Sequence, residues 1–456
     1  MALQMPNRYH PNFINLSERN KMAAILVQSR PVKIIMRNAI ALFILLIPAA
    51  NAATPAPEFY KDVLPILQER CQVCHRPGEA APMSFLTYQE VRPWAKAIRE
   101  TVVLRKMPPW LADPHFGKFS NDQSLSAGEM ETLSRWADAG AQEGDPRKAP
   151  PPRQFVSGWS IGKPDAVLGM GFDYEVPATG AIEYQHFVVP TNFKQDTWVE
   201  VAEVRPGDRS AVHHAAVFVR PPESKWLRDL EPGKPYGTKN QSWFMGRTMR
   251  DELLTFQVPG GVPSVLRPGQ AKLIPAGSDL VFQIHYTANG KIRHDQTRIG
   301  LIFAKQPPAE RVHSLTITNV KLAIPPENPA FPFQATYTLP EDLKLVSLNP
   351  HMHVRGKSFQ FRATYPTGES EILLSVPNYS FFWQMYYYLT EQKVLPKGTR
   401  IDCLATYDNS AGNPNNPDPK AEVHWGDQSW DEMLVGTMDV AIPTGMDLMK
   451  LYPAAK

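Results

Sequence analysis

Histidines between residues 213 and 353 have the types and spacing of metal ligands. His213 and His214 are adjacent, and His285 follows in the run Gln-Ile-His-Tyr. Neighbouring side chains on a regular strand point to opposite faces, so both His213 and His214 could bind one ion only at a bulge or a strand end. His351 and His353 alternate as H-x-H, which places both on one face of a strand, where they could bind one ion together.

Met433 lies in the run Asp-Glu-Met near the C-terminus. Taken singly, each of these residues has an ordinary explanation. An isolated histidine is usually a core or surface residue, and an isolated methionine usually belongs to the core. The order of these motifs along one chain is what favours a metal function.

Two of the three cysteines form another candidate site. Cys71, Cys74 and His75 make the motif C-x-x-C-H. This is the attachment signature of c-type haem, in which the thiols add to the vinyl groups and the histidine binds iron. A redox dithiol or half of a zinc site would also contain C-x-x-C, but no second cysteine pair completes a zinc site. We therefore expect one covalently bound haem c.

The sixth ligand of such a haem iron is less strongly indicated. Met107 lies in Lys-Met-Pro-Pro-Trp, after the haem motif. A thioether ligand raises the reduction potential of the iron and suits electron transfer. Met83 and His115 are the alternatives to Met107.

Helical patterns surround the haem motif. An amphipathic stripe predicts a helix from Glu58 to Arg70. Ser126 and Glu129 form a capping box that begins a second helix, which ends at Gly140. A helix, C-x-x-C-H, a loop and a closing helix resemble the small all-α monohaem cytochrome c domain, which would cover residues 53–145.

The rest of the chain has a β pattern. Proline makes up 45 of the 456 residues, which disfavours a helical bundle. A Pro-rich linker, residues 146–155, precedes short alternating runs typical of strands. Asn289-Gly290 and Pro366-Thr-Gly368 predict hairpin turns. We expect two all-β sandwiches, over residues 156–320 and 321–456.

Residues 1–52 read as a signal peptide. A short apolar run follows Lys33 and Arg37, and Ala-Asn-Ala52 fits a cleavage site. An uncleaved membrane anchor is the alternative, but the run is shorter than a spanning helix needs. Without this segment 42 basic and 44 acidic residues are left, so nothing favours nucleic acid as a partner. A periplasmic or secreted protein with no transmembrane segment after cleavage is expected.

Residues 160–450 resemble the copper type II, ascorbate-dependent monooxygenases, the family of peptidylglycine α-hydroxylating and dopamine β-monooxygenase. The resemblance rests on His-His, Gln-x-His-Tyr, His-x-His and Asp-Glu-Met in this order. It implies two jelly-roll sandwiches with a solvent cleft between them. One copper ion would be held by His213, His214 and His285, and a second, catalytic one by His351, His353 and Met433.

The resemblance implies that the second copper binds O₂ and hydroxylates a substrate C–H bond. The cytochrome domain would pass electrons from an external donor, a redox protein or small reductant, to the first copper. Asn349 stands where the peptide-amidating enzyme has a carboxylate-binding arginine, so the substrate, a small molecule or peptide, is left open. Cys403 alternates like a buried strand residue and has no cysteine left to pair with.

Two other functions are compatible with the sequence. The chain could be a non-catalytic electron-transfer or copper-binding protein, or a copper enzyme acting on another small oxidant. The loop from Asp408 to Pro419 is rich in oxygen ligands, and a turn cluster is favoured there over a calcium site.

Overall fold

The computed structural model describes most of the chain beyond the leader: residues 55–79, 81–156, 158–237, 248 and 250–452. The predicted signal peptide, residues 1–52, lies outside the described residues. All elements below belong to one compact unit, Ala56–Lys456. Within the described part of the chain, no helix is long and apolar enough to cross a membrane.

The helices are short, and all but the last 3₁₀ turn lie near the N-terminal end of the described chain. They are the π-helical turn Phe59–Val63, α1 Leu64–Arg70, α2 Tyr88–Val91, the 3₁₀ turn Arg92–Trp94, α3 Ala95–Val103, α4 Ala127–Asp138 and the 3₁₀ turns Pro146–Lys148 and Leu448–Leu451. Phe59, Leu67, Leu133 and Trp136 are fully buried in one small core. We call residues 56–142 the helical unit.

Both predicted helices of this unit are present. The first begins as a π-helical turn and continues as α1, which ends at Arg70. Ser126 and Glu129 form the predicted capping box at the start of α4. Gly140, with a φ of 88°, follows the end of α4 and accommodates the left-handed turn that stops it.

The Pro-rich segment after α4 packs back against the helical unit. Lys148 pairs with Glu58, and the Arg153 guanidinium donates to main-chain oxygens at the end of α1. This segment is therefore held along the helical unit by polar contacts.

Twenty-two strands make up most of the remaining described chain. They are β1 Ala166–Gly169, β2 Tyr174–Val176, β3 Gln185–Pro190, β4 Thr197–Arg205, β5 Val212–Arg220, β6 Tyr236–Gly237, β7 Glu252–Gln257, β8 Ser264–Val265, β9 Gln270–Ile274, β10 Asp279–Tyr286, β11 Arg293–Asp295, β12 Arg298–Phe303, β13 Glu310–Thr318, β14 Ala323–Ile324, β15 Phe331–Thr338, β16 Leu343–His351, β17 Gly356–Thr364, β18 Ser370–Val376, β19 Tyr387–Leu395, β20 Arg400–Tyr407, β21 Val423–His424 and β22 Val435–Pro443.

These strands form two packed β-sandwiches, as the sequence predicts. In the first, the sheet β6-β3-β10-β5-β7 packs on β1, β12, β4 and β9 around a core that includes Val217, Phe282 and Leu301. In the second, the sheet β15-β20-β17-β18 packs on β13, β22, β16 and β19 around Phe361 and Cys403. Alternation of apolar residues along each strand supplies both cores.

One continuous nine-stranded sheet runs through both sandwiches. Strands β9 and β13 pair in parallel, through Gln270 with Glu310 and Ala271 with Arg311. Leu315 of β13 belongs to the second core, so that core begins ahead of the boundary at residue 320 expected from the sequence. Shared backbone hydrogen bonds fix the relative position of the two sandwiches.

One of the two predicted hairpins is wrong. Gly290 has a φ of 86° and forms a turn, but the following strand β11 pairs with β2 and not with β10. Both edges of β10 are already occupied, by β3 and β5, which leaves no place for a hairpin partner. The turn at Pro366-Thr-Gly368 does join the antiparallel pair β17 and β18, as predicted.

A buried ionic network lies where the two sandwiches meet. Glu252 of β7 contacts Arg311, 2.8 Å from its Nη2, and His313, 3.1 Å from its Nδ1. Burial alone would raise the pKa of Glu252, but His313 and Arg311 outweigh it and lower the pKa to about 2. The ionised carboxylate therefore stabilises the fold.

Replacing Glu252 by Gln should lower the free energy of unfolding at pH 7 by about 3 kcal/mol, since each pKa unit corresponds to about 1.4 kcal/mol. The lowered pKa gives stability that is complete above the ordinary value of 4.5 and is lost as pH falls towards about 2. Urea unfolding of the native protein and the Glu252→Gln variant at pH 7 and pH 3 measures the difference in their free energies of unfolding. A difference that is as large at pH 3 as at pH 7 would contradict it.

Candidate metal centre

A β-bulge brings three histidines together at the end of β5 and β10. His285 pairs with His214, but the next residue, Tyr286, pairs with Val212, so His213 is the extra residue. This is the irregularity that two adjacent ligands require. The ring centroids of the three histidines, which we call the His triad, lie 5.1–5.2 Å apart.

The nitrogen atoms of the His triad are placed to share one ion. One ring nitrogen from each histidine lies within 4.8 Å of the others. Nδ1 of His213 is 3.1 Å from Nδ1 of His214, and two nitrogens bound tetrahedrally at about 2.0–2.1 Å would be roughly 3.3 Å apart. Nε2 of His213 and Nδ1 of His285 are buried without a hydrogen-bond partner.

His351 and His353 form a second group, which we call the His pair. Their ring centroids are 5.2 Å apart. Nδ1 of His351 lies 2.5 Å from Oε1 of Gln384, and Nδ1 of His353 lies 3.3 Å from the Asp431 carbonyl. Because both partners are acceptors, each Nδ1 carries the proton and each Nε2 keeps a free lone pair. Nε2 of His353 is buried without a partner.

Met433 comes from the chain just before β22, next to the strand that carries His351. It is 3 % exposed and lines the same cavity as His351. The preceding Glu432 accepts hydrogen bonds from the main-chain N–H groups of His353, at 2.8 Å, and Arg355, at 2.6 Å. Burial raises the pKa of Glu432 to about 8 despite these bonds. Glu432 thus ties the His pair to the segment that carries Met433.

The chemistry of these groups fits copper. Burial lowers the pKa of His213 and of His351 to about 4, and it lowers the pKa of the other three histidines well below the usual value. The imidazoles are neutral at physiological pH, which is the form that binds metal. Three imidazoles can bind copper as well as zinc, and two imidazoles with a thioether are a donor set that suits copper better than zinc.

Phe381 lies between the two groups. Its ring stacks on His213 at 5.2 Å and contacts His285 at 5.8 Å and His353 at 6.0 Å. A cavity of about 80 Å³ also separates the groups, and His214, His351 and Met433 all line it. This cavity is partly open and is lined by residues of both sandwiches.

Sequence reasoning missed several residues around the candidate ligands. The sequence indicates only a core position for Phe381. It gives no signal for Gln384 or for Tyr184, whose ring contacts His214 and His285. Each is distant in sequence from the histidine that it contacts. The one indication in the sequence is the run Phe-Phe-Trp-Gln384, in which Gln384 follows a cluster of aromatic residues.

The haem motif follows the end of α1. Cys71 caps that helix, and neither cysteine of the motif forms a disulfide. Nδ1 of His75 lies 3.3 Å from the Met83 carbonyl, which leaves Nε2 to bind a metal. Burial raises the pKa of Cys71 to about 12 and also raises that of Cys74. Raised values disfavour a redox dithiol, which needs a reactive thiolate, so the donor set fits haem attachment.

The three sixth-ligand candidates lie in different environments. Met107 is half-buried and precedes Pro108. Met83 packs on the helical core, and its carbonyl faces His75. The His115 side chain is 82 % exposed and lies 2.6 Å from Asp113. Of the three, His115 has the surroundings of a surface residue.

The segment between the haem motif and α4 docks on the second sandwich. Trp110 packs against Tyr387, with ring centroids 5.0 Å apart, in the second core. The Ser120 N–H donates to the Tyr388 carbonyl at 2.8 Å. The helical unit is therefore fixed against the strand β19 by both apolar and main-chain contacts.

The helical unit also contacts the first sandwich. A Cβ on Gly260, just beyond β7, would lie 3.9 Å from Sγ of Cys74. Gln123 donates to the Gly260 carbonyl at 2.9 Å, and Arg209, four residues before His213, pairs with Glu79. The haem motif thus lies against the chain that leads into the His triad.

The remaining predicted residues have structural roles. Cys403 is fully buried in the second core. Asn349 is buried and donates to the main-chain oxygens of Gln384 and Met385. In the loop from Asp408, Asn409 binds Nε of buried Arg355 at 2.8 Å. This loop is the predicted turn cluster, and it supports the chain beside the His pair.

A Gln384→Leu variant should bind copper at the His pair about 10–100-fold more weakly, because the bond that orients the His351 ring is lost. The His triad should keep its affinity. Competition with a copper chelator would show one weakened site and one unchanged site. Exposed His294 provides the control, in a His294→Leu variant. Equal weakening of both sites would mean that Gln384 acts on the fold as a whole.

Comparisons with known proteins do not identify a family. No protein-family model matches the chain, and no curated protein matches it. Among solved structures, the STIV MCP matches with 8 % identity and a TM-score of 0.24, covering 64 % of this chain and 98 % of that chain. The infectious bursal disease virus VP2 subviral particle matches with 11 % identity and a TM-score of 0.18, covering 62 % and 73 %. TM-scores this low carry no argument about this protein.

Proposed function

We propose that this protein is an exported haem- and copper-containing oxidoreductase, a copper-dependent monooxygenase that hydroxylates a C–H bond. The observation that carries the proposal is the pairing of two buried donor groups across one cavity. The His triad has three imidazoles, and His214 of the triad, His351 of the His pair and Met433 line the same cavity. The family resemblance of the sequence points to the same activity.

The two donor sets would have different roles in the proposed reaction. Copper held at these sites would supply one-electron reduction and activation of dioxygen. The His triad offers three nitrogens and suits an ion that changes oxidation state without changing its ligands. The softer set with Met433 favours the cuprous state and leaves a position open to the cavity.

Residues around the two sites orient the imidazoles. The Phe381 ring contacts three of the five imidazoles. Gln384 and the Asp431 carbonyl accept hydrogen bonds from Nδ1 of His351 and His353, which leaves Nε2 of each ring as the nitrogen that could bind a metal.

Electrons would enter through a haem c bound by Cys71, Cys74 and His75, with Met107 as the proposed sixth ligand. The support is the short path from the helical unit to the His triad. A Cβ on Gly260 would lie 3.9 Å from Sγ of Cys74. Four residues earlier in the chain, the ring of Phe256 lies 5.3 Å from the ring of His214. Four residues of chain span at most about 14 Å. An external donor would reduce the haem.

Labelled dioxygen tests this function. Purified protein carrying copper and haem would be given a reductant, labelled O₂ and a mixture of small uncharged metabolites. We expect a product that contains one labelled oxygen atom, with the second atom released as water. If copper is reduced and reoxidised but no compound gains the label, the alternative of a non-catalytic electron-transfer or copper-binding protein is correct.

A further inference from the structure

The helical unit has an uneven distribution of charge. Its residues 56–142 contain ten basic and eleven acidic side chains, so the unit as a whole is nearly neutral. Residues 92–106, which we call the basic segment, contain half of the basic residues and only one acid, Glu100, and have a net charge of +4. The five basic residues are all exposed: Arg92, Lys96, Arg99, Arg105 and Lys106.

Most of this charge has no partner within the part of the chain that the structure describes. Arg99 pairs with Asp138 at 2.8 Å, and the other four basic residues form no ion pair there. Elsewhere in the helical unit, four of the five basic residues pair with a carboxylate: Lys61, Arg70, Arg76 and Arg135. The helix dipole favours Arg105 and Lys106, just beyond the end of α3, but disfavours Lys96 in its first turn. The stability of the helix therefore does not account for the basic segment.

Large apolar side chains are exposed in the same segment. Trp94 is 41 % exposed, and Val103 and Leu104 are each 54 % exposed. Lys96, Arg99 and Val103 follow one another at i, i+3 and i+7, so they lie on one face of α3. The opposite face of α3 packs into the core of the helical unit. The exposed face thus combines positive charge with apolar groups, and tryptophan and arginine are among the residues enriched at protein interfaces.

The basic segment leads directly into the proposed haem site. The Lys106 N–H donates to the Thr101 carbonyl at 2.8 Å, so the chain turns at the end of α3 and continues into Met107, the proposed sixth ligand. The contacts with the sandwiches described above come from Glu79 and from residues 110–123, not from α3. A protein bound to the basic segment could therefore approach Met107 while the helical unit stays docked on the sandwiches.

We propose that the basic segment is the docking surface for the external electron donor, and that this donor is an acidic redox protein. This inference rests on the proposed function, because it takes the haem as the point where electrons enter. Carboxylates of the donor would pair with Lys96 and Lys106, and the apolar groups around Trp94 would make close contact. Attraction between opposite charges speeds association, and a small interface lets the donor leave after each electron.

Reduction of the haem by a plant-type ferredoxin, a small acidic electron carrier, tests the inference. One electron passes from the reduced iron–sulfur cluster to the ferric haem. The second-order rate constant should fall at least about tenfold as the ionic strength rises from about 10 mM to about 200 mM, because salt screens the attraction. A rate constant that does not fall with added salt would overturn the inference.

Charge reversal locates the surface. A Lys96→Glu, Lys106→Glu double variant should lower the rate constant at least about tenfold at low ionic strength. The matched control makes the same change of charge on the first sandwich, at exposed Lys163 and Lys305, and should keep the rate constant within about twofold of the native value. Equal slowing in both double variants would mean that only net charge matters and would overturn the inference.

A small uncharged reductant separates docking from damage to the haem site. Photoreduced lumiflavin should reduce the haem equally fast in the native protein and in both double variants, because it needs no charged surface. If lumiflavin is slowed in the Lys96→Glu, Lys106→Glu variant by the same factor as ferredoxin, the substitutions act on the haem site. The basic segment is then not the docking surface.

Haem content and binding distinguish this inference from the proposed function. Haem is quantified by its absorbance, so a protein without haem refutes electron entry through a haem. Binding of oxidised ferredoxin needs no haem, and its Kd at low ionic strength should be at least about tenfold lower for the native protein than for the Lys96→Glu, Lys106→Glu variant. Binding to vesicles of phosphatidylglycerol and phosphatidylcholine, without binding to ferredoxin, would assign the surface to a membrane and overturn the inference.

Discussion

A Met433→Leu variant should lose one of its two copper ions and at least about 99 % of its hydroxylation activity. Leucine keeps the volume and apolar character of methionine, so the fold around this buried position should stay intact. Only the thioether is removed, and with it the soft ligand that favours the cuprous state at the His pair. The loss should exceed the 10–100-fold that the removal of a supporting bond costs, because a ligand itself is gone.

Met438, on the strand β22 that follows Met433, provides a matched control. It is fully buried but points into the second core, away from the cavity. Met438→Leu makes the same chemical change and should keep both copper ions and the activity. Copper content and labelled product are measured for both variants. A Met433→Leu protein with two tightly bound copper ions and normal turnover would remove Met433 from the site.

A variant in which both Cys71 and Cys74 are replaced by Ala should stop electron delivery to copper. Without the thioether bonds the haem is lost, and with it the route from an external donor. In the native protein, anaerobic reduction of the haem by one electron per chain should be followed by haem reoxidation as the cupric signal disappears. In the double variant a small reductant added directly should still reduce the copper.

Control variants test whether the loss of electron transfer is specific to the haem cysteines and to the contact with His214. Cys403→Ala removes the third cysteine, which lies in the second core, and should leave haem and electron transfer unchanged. Phe256→Leu should slow haem reoxidation at least about tenfold, since the ring next to His214 is lost. Phe218→Leu changes another phenylalanine that lines the same cavity and should leave the rate of haem reoxidation unchanged. If the external donor reduces copper in the double variant at the rate seen in the native protein, the haem does not lie on the electron-transfer pathway.

The local features of the fold could be predicted from the sequence because each depends on residues close together in the chain. The capping box of Ser126 and Glu129 is one example, and the alternation along β10, which places Phe282 in the first core and Val281 in a separate buried cluster on the other face, is another. The need for a bulge at His213 follows from strand geometry alone. The structure has that bulge.

Features that depend on distant pairing could not be predicted. The turn at Asn289-Gly290 has the local chemistry of a hairpin, but the competition of β3 and β5 for the edges of β10 decides the pairing. The parallel contact of β9 with β13 joins the sandwiches through only two residue pairs. Phe381, between β18 and β19, contacts His213 of β5, His285 of β10 and His353 just after β16, and no pattern around it indicates these contacts.

The metal content of the native protein tests the central claim most directly. The His triad, the His pair with Met433, and the C-x-x-C-H motif together predict two copper ions and one iron per chain. Elemental analysis of protein purified without added metal, after haem maturation in the host, measures all three at once. Two copper ions and one iron would support the account. Zinc in place of copper, or a chain with haem iron and no copper, would contradict it.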